Sequence, residues 1–444
     1  MLNHATATIS STRFAVPSIP AESTPAAAAD LQWDFALICV AGYILTAVGR
    51  VHQLFPVVGV LRPAVLTALF ATALYIFSQH EERRPRHLFV PTTNYLVALL
   101  CWMVLAVPSA LVIGTSFEMV FNNFSKTFLM CLVMAGTVRG IRDVERLALV
   151  YLMAATLYAA VVLLRFDLGG GENWRLSLLY YYDANDFATY VVTALPLALY
   201  FLHAGRRTSG RVGAAFALAV LALAFVRAGS RGGFIALIAV VGFVVLRYSA
   251  IALRQRVLAT ALVALIVLTT ASDQYWTQMS TTLSDDDYNR TDESGRMQIW
   301  SRGVGYMLGR PLFGVGPGNF PTAEGMLSLF AARQQFGAGV RWNAAHNSYV
   351  QVGAELGLPG LLLFIGLLAS AFAALGRSNR RGGAPDGAHS RAELTQALTA
   401  SLTGFVVGAF FLSLAYLEML YALLALVIGL EKVTRGPAAW RGAA

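Results

Sequence analysis

The sequence predicts an all-α polytopic membrane protein of about twelve transmembrane helices, with one large loop outside the bilayer that itself contains helices. Three observations carry this. Of the 444 residues, 57% are hydrophobic and only 13% are charged, a balance far from that of an ordinary soluble domain. The apolar residues come in runs of spanning length joined by short polar connections. The arginines gather in alternate connections instead of spreading evenly.

In chain order, residues 1–30 are polar and rich in Ala, Pro, Ser and Thr. They lack the basic start and apolar centre of a signal peptide, so they read as a disordered cytoplasmic tail. Apolar runs follow at roughly 31–49, 60–78, 94–113, 121–138, 145–164, 186–204, 212–227, 233–247, 257–272, 348–375, 395–415 and 417–432. The chain thus divides into nine spans over 31–272, a loop over 273–347, three spans over 348–432 and a tail over 433–444. Residues 376–390, rich in Arg, Gly and Pro, read as a flexible linker. No internal repeat is visible.

The net charge of +9 comes from 33 basic residues, all arginine except Lys126 and Lys432. With the N-terminus inside, the connections at 83–86, 139–146, 206–211, 247–256 and 377–391, together with the C-terminal tail, hold 19 of them. The short outward connections hold far fewer, chiefly Arg50, Arg165, Arg175, Arg227 and Arg231. This bias sets orientation: both termini cytoplasmic, the long loop outside. It also leaves no contiguous basic surface for nucleic acid. Cys39, Cys101 and Cys131 lie in apolar runs at no metal-like spacing and read as small buried hydrophobes.

Two regions carry residues suited to chemistry. The first is the turn Arg227-Ala228-Gly229-Ser230-Arg231-Gly232-Gly233. Only 35 residues separate Arg211 from Arg247, and at about 1.5 Å per residue they reach roughly 52 Å, short of the ~60 Å that two crossings need. The turn is therefore expected below the outer surface, where irregular backbone is tolerated only if it is protein-buried or lines a wet cavity. A helix N-terminus there, with Arg231 beside bare glycine amides, suits a lipid-linked phosphate. Snorkelling to the headgroups is the competing reading for Arg231, and the preferred one for Arg227.

The second region is the loop. Its acidic run, Ser284 to Glu293, reads as a solvated turn, not a metal site. Arg296 then opens an amphipathic stretch, Met297 to Leu308, that ends in a Gly/Pro-shaped turn from Gly309 to Phe320. The loop closes on Arg341-Trp342-Asn343-Ala344-Ala345-His346-Asn347. This topology leaves His52 and His346 as the outward histidines, and His346 at the start of the tenth span can take a proton from a hydroxyl. A plain helix-terminal histidine is the competing reading. Glu355, nine residues on, lies about 180° around the helix from His346, so it is expected to pair with another helix or a loop arginine. Gly353, Gly357 and Gly360 fit close helix packing.

Taken together, these pieces resemble the O-antigen ligase and polymerase superfamily of bacterial envelope glycosyltransferases. The residues that carry the resemblance are Asp183-Ala184-Asn185-Asp186, Gly229-Ser230-Arg231-Gly232-Gly233, Arg296 with Trp300, Pro311-Leu312-Phe313-Gly314-Val315-Gly316, His346-Asn347 and Glu355-Leu356-Gly357-Leu358-Pro359-Gly360. They cover about residues 183–360, and outside that range only the span pattern matches. The resemblance implies glycosyl transfer at the periplasmic face of a bacterial inner membrane. The donor would be an undecaprenyl-diphosphate-linked O-antigen and the acceptor a sugar hydroxyl of lipid A-core, without cofactor or metal. It implies Arg231 and Arg296 as diphosphate ligands and His346 as the catalytic residue. Ser230, Asn185, Asn347 and Glu355 are supporting candidates, and Glu418 corresponds to a family acidic residue near the last spans, although no motif anchors that match. Read on their own, these residues suit the same chemistry: positive charge for a departing diphosphate and a base for the attacking hydroxyl. The sister polymerase is the alternative, differing in acceptor. A membrane anion transporter fits less well, because its charges would gather at the midplane of repeated halves.

Overall fold

The computed structural model describes residues 32–165, 176, 181–205, 207–281, 292, 295–329, 343–380 and 388–435. The expected N-terminal tail, nearly all of the acidic run, Arg341-Trp342 and the last nine residues lie outside that set. Among the described residues every regular element is a helix. The part of the chain from Trp33 onward forms one compact unit.

Each of the twelve apolar runs is helical. Helix α1 is Phe35–Tyr43, capped by Asp34, whose Oδ1 accepts from Leu37 N at 2.9 Å, and it continues as π-helix over Ile44–Val48. Helices α2 (Pro63–Ile76) and α3 (Pro91–Ala106) both start on a proline, whose missing N–H is no loss in a first turn. Helix α4 is Ser125–Thr137, entered through Ile113–Phe117 and a second π segment, Glu118–Phe124. Then come α5 (Ile141–Arg165), α6 (Ala184–Ala204), α7 (Thr208–Ala228), α8 (Arg231–Arg247) and α9 (Leu253–Thr270). The loop holds α10 (Asp273–Ser280), α11 (Arg296–Gly309) and α12 (Phe320–Leu327). Helices α13 (Ser348–Arg380), α14 (Ala388–Gly408) and α15 (Glu418–Arg435) complete the chain.

Among the described residues, seven helical stretches are long and apolar enough to cross a membrane by length and composition: Pro91–Ser109, Ile113–Thr137, Ile141–Arg165, Ala184–Ala204, Thr208–Ala228, Leu253–Thr270 and Ser348–Arg380. The others of the expected twelve are shorter or more polar. Phe35–Val48 and Pro63–Ile76 are short apolar helices, and α8 has 17 residues. Thr395, Gln396, Thr399, Ser401 and Thr403 dilute α14, and α15 carries Glu418, Glu431, Lys432 and Arg435.

One hydrophobic core runs through the bundle. Helix α6 sits at its centre against α7, α8 and α14; α15 packs on α4 and α13, and α3 lies along α13. The polar ends are tied by ion pairs: Asp34 takes Arg83 at 2.5 Å and Arg139 at 3.0 Å, and Asp143 takes Arg139 at 2.8 Å. Glu431 takes Arg377 and Arg435, both at 2.7 Å. These pairs correct one expectation. The supposed linker from Gly376 is helical through Arg380, because Arg377 and Ser378 are held by Glu431 and Thr434 of α15.

The tenth run is not one continuous helix. Gly357 breaks α13 at φ +71°, ψ −171°, and this glycine is a helix break, not the packing glycine the sequence suggested. The freed groups are satisfied: Trp102 Nε1 donates to Leu356 O at 2.9 Å, and Leu358 N donates to Pro311 O at 2.8 Å. Pro359 then restarts the helix. A Cβ at Gly357 would lie 2.4 Å from Leu312 O and 2.5 Å from Pro311 O. Gly357→Ala is therefore expected to lose roughly 1–3 kcal/mol from backbone strain alone, with the carbonyl clashes added. Thermal unfolding in detergent measures this, and a wild-type midpoint would show that the break relaxes without strain.

Candidate active site

The turn between α7 and α8 is tighter than the seven residues expected. Arg227 belongs to the last turn of α7, Gly229 caps that helix at φ +55°, and Ser230 already caps α8. Only glycine reaches this left-handed conformation at no steric cost. Ser230 is buried and its Oγ accepts from Gly233 N at 3.1 Å, so it serves as the N-cap of α8. Arg231 is the first residue of α8, where the helix dipole favours an anion. Its Nη1 donates to Thr281 Oγ1, 2.9 Å away, just after α10. The neighbouring glycines permit close approach. A Cβ on Gly233 would sit 2.7 Å from that of Ala188 in α6, and one on Gly232 2.7 Å from that of Phe411, in the segment joining α14 to α15.

Arg296 likewise begins a helix, α11. Two features pin that helix. Arg302 grips Glu324 of α12 through Nε at 3.0 Å and Nη2 at 2.5 Å, and Tyr306 Oη donates to the same carboxylate at 2.7 Å. Below them Ile299, Phe320, Ala345 and Ala354 form a small core separate from the main one. The loop thus carries its own core and a saturated buried ion pair, which is how a polar segment holds one shape. Trp300 Nε1 donates to Ala345 O at 3.0 Å, coupling α11 directly to the segment that bears His346.

His346 lies in a turn before α13, with φ +46°. A non-glycine residue in this region costs about 1–3 kcal/mol and persists only where its surroundings enforce it. Here they do. His346 N donates to Ser413 Oγ at 3.0 Å, Ser348 N donates to Ala409 O at 2.8 Å, and Ser348 Oγ donates to Leu412 O at 2.7 Å. Asn347 is buried and its Oδ1 accepts from the N–H groups of Tyr349 and Val350, at 2.9 and 3.1 Å, so it is a cap. The imidazole itself makes no hydrogen bond among the described residues.

The structure brings the pieces together around the segment that follows α14. Ser413 holds His346, Phe411 abuts Gly232, and Phe410 meets the ring of Trp300 at 5.4 Å. The first turn of α6 adds two carboxylates. Asp183 caps that helix, accepting from the N–H groups of Asn185 and Asp186 at 2.7 Å each. Arg296 acts electrostatically on both Asp186 and His346, and Asp183 acts on His346. Burial first, and then the Arg296 charge, push the His346 imidazole below the ordinary histidine range, with Asp183 opposing. A lowered value keeps the ring neutral near pH 7 and able to accept a proton.

The other three candidates are placed by Phe320, by Arg50 and by the start of α6. Glu355 is fully buried and its Oε1 accepts from Phe320 N at 3.2 Å, so it holds the turn before α12 and pairs with no arginine among its described partners. Glu418 opens α15 and its ion pair is with Arg50, at 3.0 Å. Asn185 is in the first turn of α6, beside the two carboxylates. Arg50, Asp183 and Asp186 were not singled out as site residues from the sequence. The Asp-x-x-Asp spacing at a helix start was a readable signal for the last two. Arg50 had only its place in the charge count.

Residues 214–365 match the family model described as O-Antigen ligase. That stretch contains Ser230, Arg231, Arg296, His346, Asn347 and Glu355, and leaves Asn185 and Glu418 outside. No curated protein matches the chain. Over residues 214–365 the chain is thus similar to the O-antigen ligase family of glycosyltransferase-like membrane enzymes.

Proposed function

We propose that the protein is an O-antigen ligase. It transfers a glycan from undecaprenyl diphosphate to a sugar hydroxyl of lipid A-core at the periplasmic face of a bacterial inner membrane, in lipopolysaccharide biosynthesis. The observation that carries this reading is a half-buried histidine whose ring makes no hydrogen bond among the described residues, held in a strained backbone beside a helix-terminal arginine. A diphosphate leaving group needs positive charge, and Arg296 and Arg231 supply it at two helix N-termini. The acceptor hydroxyl attacks the anomeric carbon as its proton passes to the His346 imidazole. The anomeric carbon–phosphate oxygen bond breaks, and the polyprenyl diphosphate departs with the electron pair.

Two further features support a lipid-linked donor. Helix α8 has 17 residues, about 26 Å at 1.5 Å each, so it is short for a ~30 Å core, and its Arg231 end lies recessed. Farther along α8, Leu237, Val240 and Val244 line an apolar groove shared with α6, α7 and α9, a surface that suits an isoprenoid chain.

The test is in vitro transfer with purified protein, lipid-linked glycan and lipid A-core, with a chelator present. Transfer with inversion at the anomeric carbon is expected. A product that keeps the donor's configuration would sink single displacement, and loss of activity on chelation would demand a metal. Elongation of a second lipid-linked repeat, without transfer to lipid A-core, would make the protein the polymerase instead.

A further inference from the structure

Arg50 stands where α1 ends, directly after the π-helical turn Ile44–Val48 and Gly49, with φ +50°. Arginine has no intrinsic preference for that conformation, and π segments recur at functional sites. Two interactions hold its side chain. Nη2 donates to Glu418 Oε1 at 3.0 Å, and the guanidinium lies over the Tyr181 ring, its carbon 3.4 Å from the ring centroid. The next residue, Tyr182, donates its hydroxyl to Val48 O at 2.7 Å, fixing the end of α1 from the other side.

The Arg50–Glu418 pair is incomplete. Its Nε is buried and has no hydrogen-bond partner among the described residues. The Arg302–Glu324 pair offers a contrast. Arg302 uses both Nε and Nη2 on Glu324, and a tyrosine completes that carboxylate. A purely structural pair tends to such saturation, because a buried donor left unmade is expensive. Arg50 keeps a donor open while stacked rigidly on an aromatic ring, a geometry suited to a planar guanidinium that grips a second oxyanion.

Its position fits the same use. Tyr181 and Tyr182 immediately precede Asp183, which faces His346, and Tyr181 feels the charge of Asp186, as Arg296 does. Arg50 therefore borders the cluster around His346, and in sequence it lies outside the stretch that matches the ligase family, which begins at residue 214.

We propose that Arg50 is a third anion-binding arginine of the site, donating through its open Nε to a phosphoryl oxygen of a lipid substrate while Glu418 and Tyr181 fix its orientation. This rests on the function proposed above. The phosphoryl group belongs either to the polyprenyl diphosphate donor or to the phosphorylated acceptor lipid, and the experiment separates the two.

Full-length protein in nanodiscs is assayed for binding of undecaprenyl diphosphate and of bisphosphorylated lipid A, with undecaprenol and dephosphorylated lipid A as controls. Arg50→Gln is expected to weaken one phosphorylated lipid by about tenfold or more and to leave both controls unchanged. The lipid affected identifies the source of the phosphate. The double variant R50Q/E418Q removes the ion pair without leaving an unpaired, half-buried carboxylate, and it should stay as weak as R50Q. Recovery in the double variant would reduce Arg50 to a partner of Glu418 and overturn the proposal. So would wild-type binding by a folded R50Q protein with an unchanged melting temperature. Wild-type protein that binds neither phosphorylated lipid would instead overturn the proposed function, and the anion role of Arg50 with it.

Discussion

Replacing His346 with alanine is expected to lower glycosyl transfer by about 10²–10⁴-fold, the range for loss of a positioned general base, with binding of the lipid-linked donor retained. Because His346 sits at φ +46°, alanine also inherits a strained backbone, so His346→Asn is the better-matched variant. Asparagine tolerates the left-handed region, preserves the N–H that reaches Ser413, and cannot act as a base near neutral pH. Both variants should fail alike. A wild-type rate in H346N would remove the histidine from the reaction, whatever alanine does. The pH dependence follows from the direction of the shift. Burial and Arg296 lower the imidazole's value, so the ring is neutral, and active, above that value. The rate of the wild-type enzyme should fall on the acid side with an apparent value below the ~6.5 of an ordinary histidine.

The second large effect is at the arginines. Arg296→Gln and Arg231→Gln should each reduce transfer by about 10²–10³-fold, as expected when one donor to a developing anion is removed. The two differ in a second readout. Arg296 depresses His346 electrostatically, so R296Q should move the acid limb of the pH–rate profile upward, towards the ordinary histidine value. Arg231 is not among the groups that shift His346, and R231Q should lower the rate and leave the limb in place. If the limb does not move in R296Q, the two side chains do not share a site during turnover.

These predictions rest on residues of unequal legibility. His346 and Arg231 stand out by residue type and by a position that hydropathy specifies, an outward loop end and a short turn, whereas Arg296 is distinguished from Arg302 and Arg310 only by the family resemblance. Ser230, Asn347 and Glu355 are close to them in sequence, and their side chains accept from backbone N–H groups of Gly233, of Tyr349 and Val350, and of Phe320. Serine and asparagine at a helix start are caps first, and a carboxylate beside a glycine-rich turn finds amides before it finds an arginine. Arg50 was missed because its partners, Glu418 and Tyr181, are remote in sequence and no short motif joins them.

What the sequence determined by itself was the helical class, the place of the apolar helices and the expected orientation, because hydropathy and charge act locally, residue by residue, against water and lipid. It also marked the long loop and the turn at Arg231 as the two places where chemistry could sit. What only the tertiary structure decided was their junction. The segment after α14, unremarkable as Ala409-Phe410-Phe411-Leu412-Ser413-Leu414, receives His346 at Ser413, abuts Gly232 at Phe411 and meets Trp300 at Phe410. The break at Gly357, the saturated grip of Arg302 on Glu324 and the open donor of Arg50 belong to the same level. Each depends on long-range packing that places groups dozens to hundreds of residues apart within hydrogen-bond distance, and periodicity along the chain carries no record of such pairings.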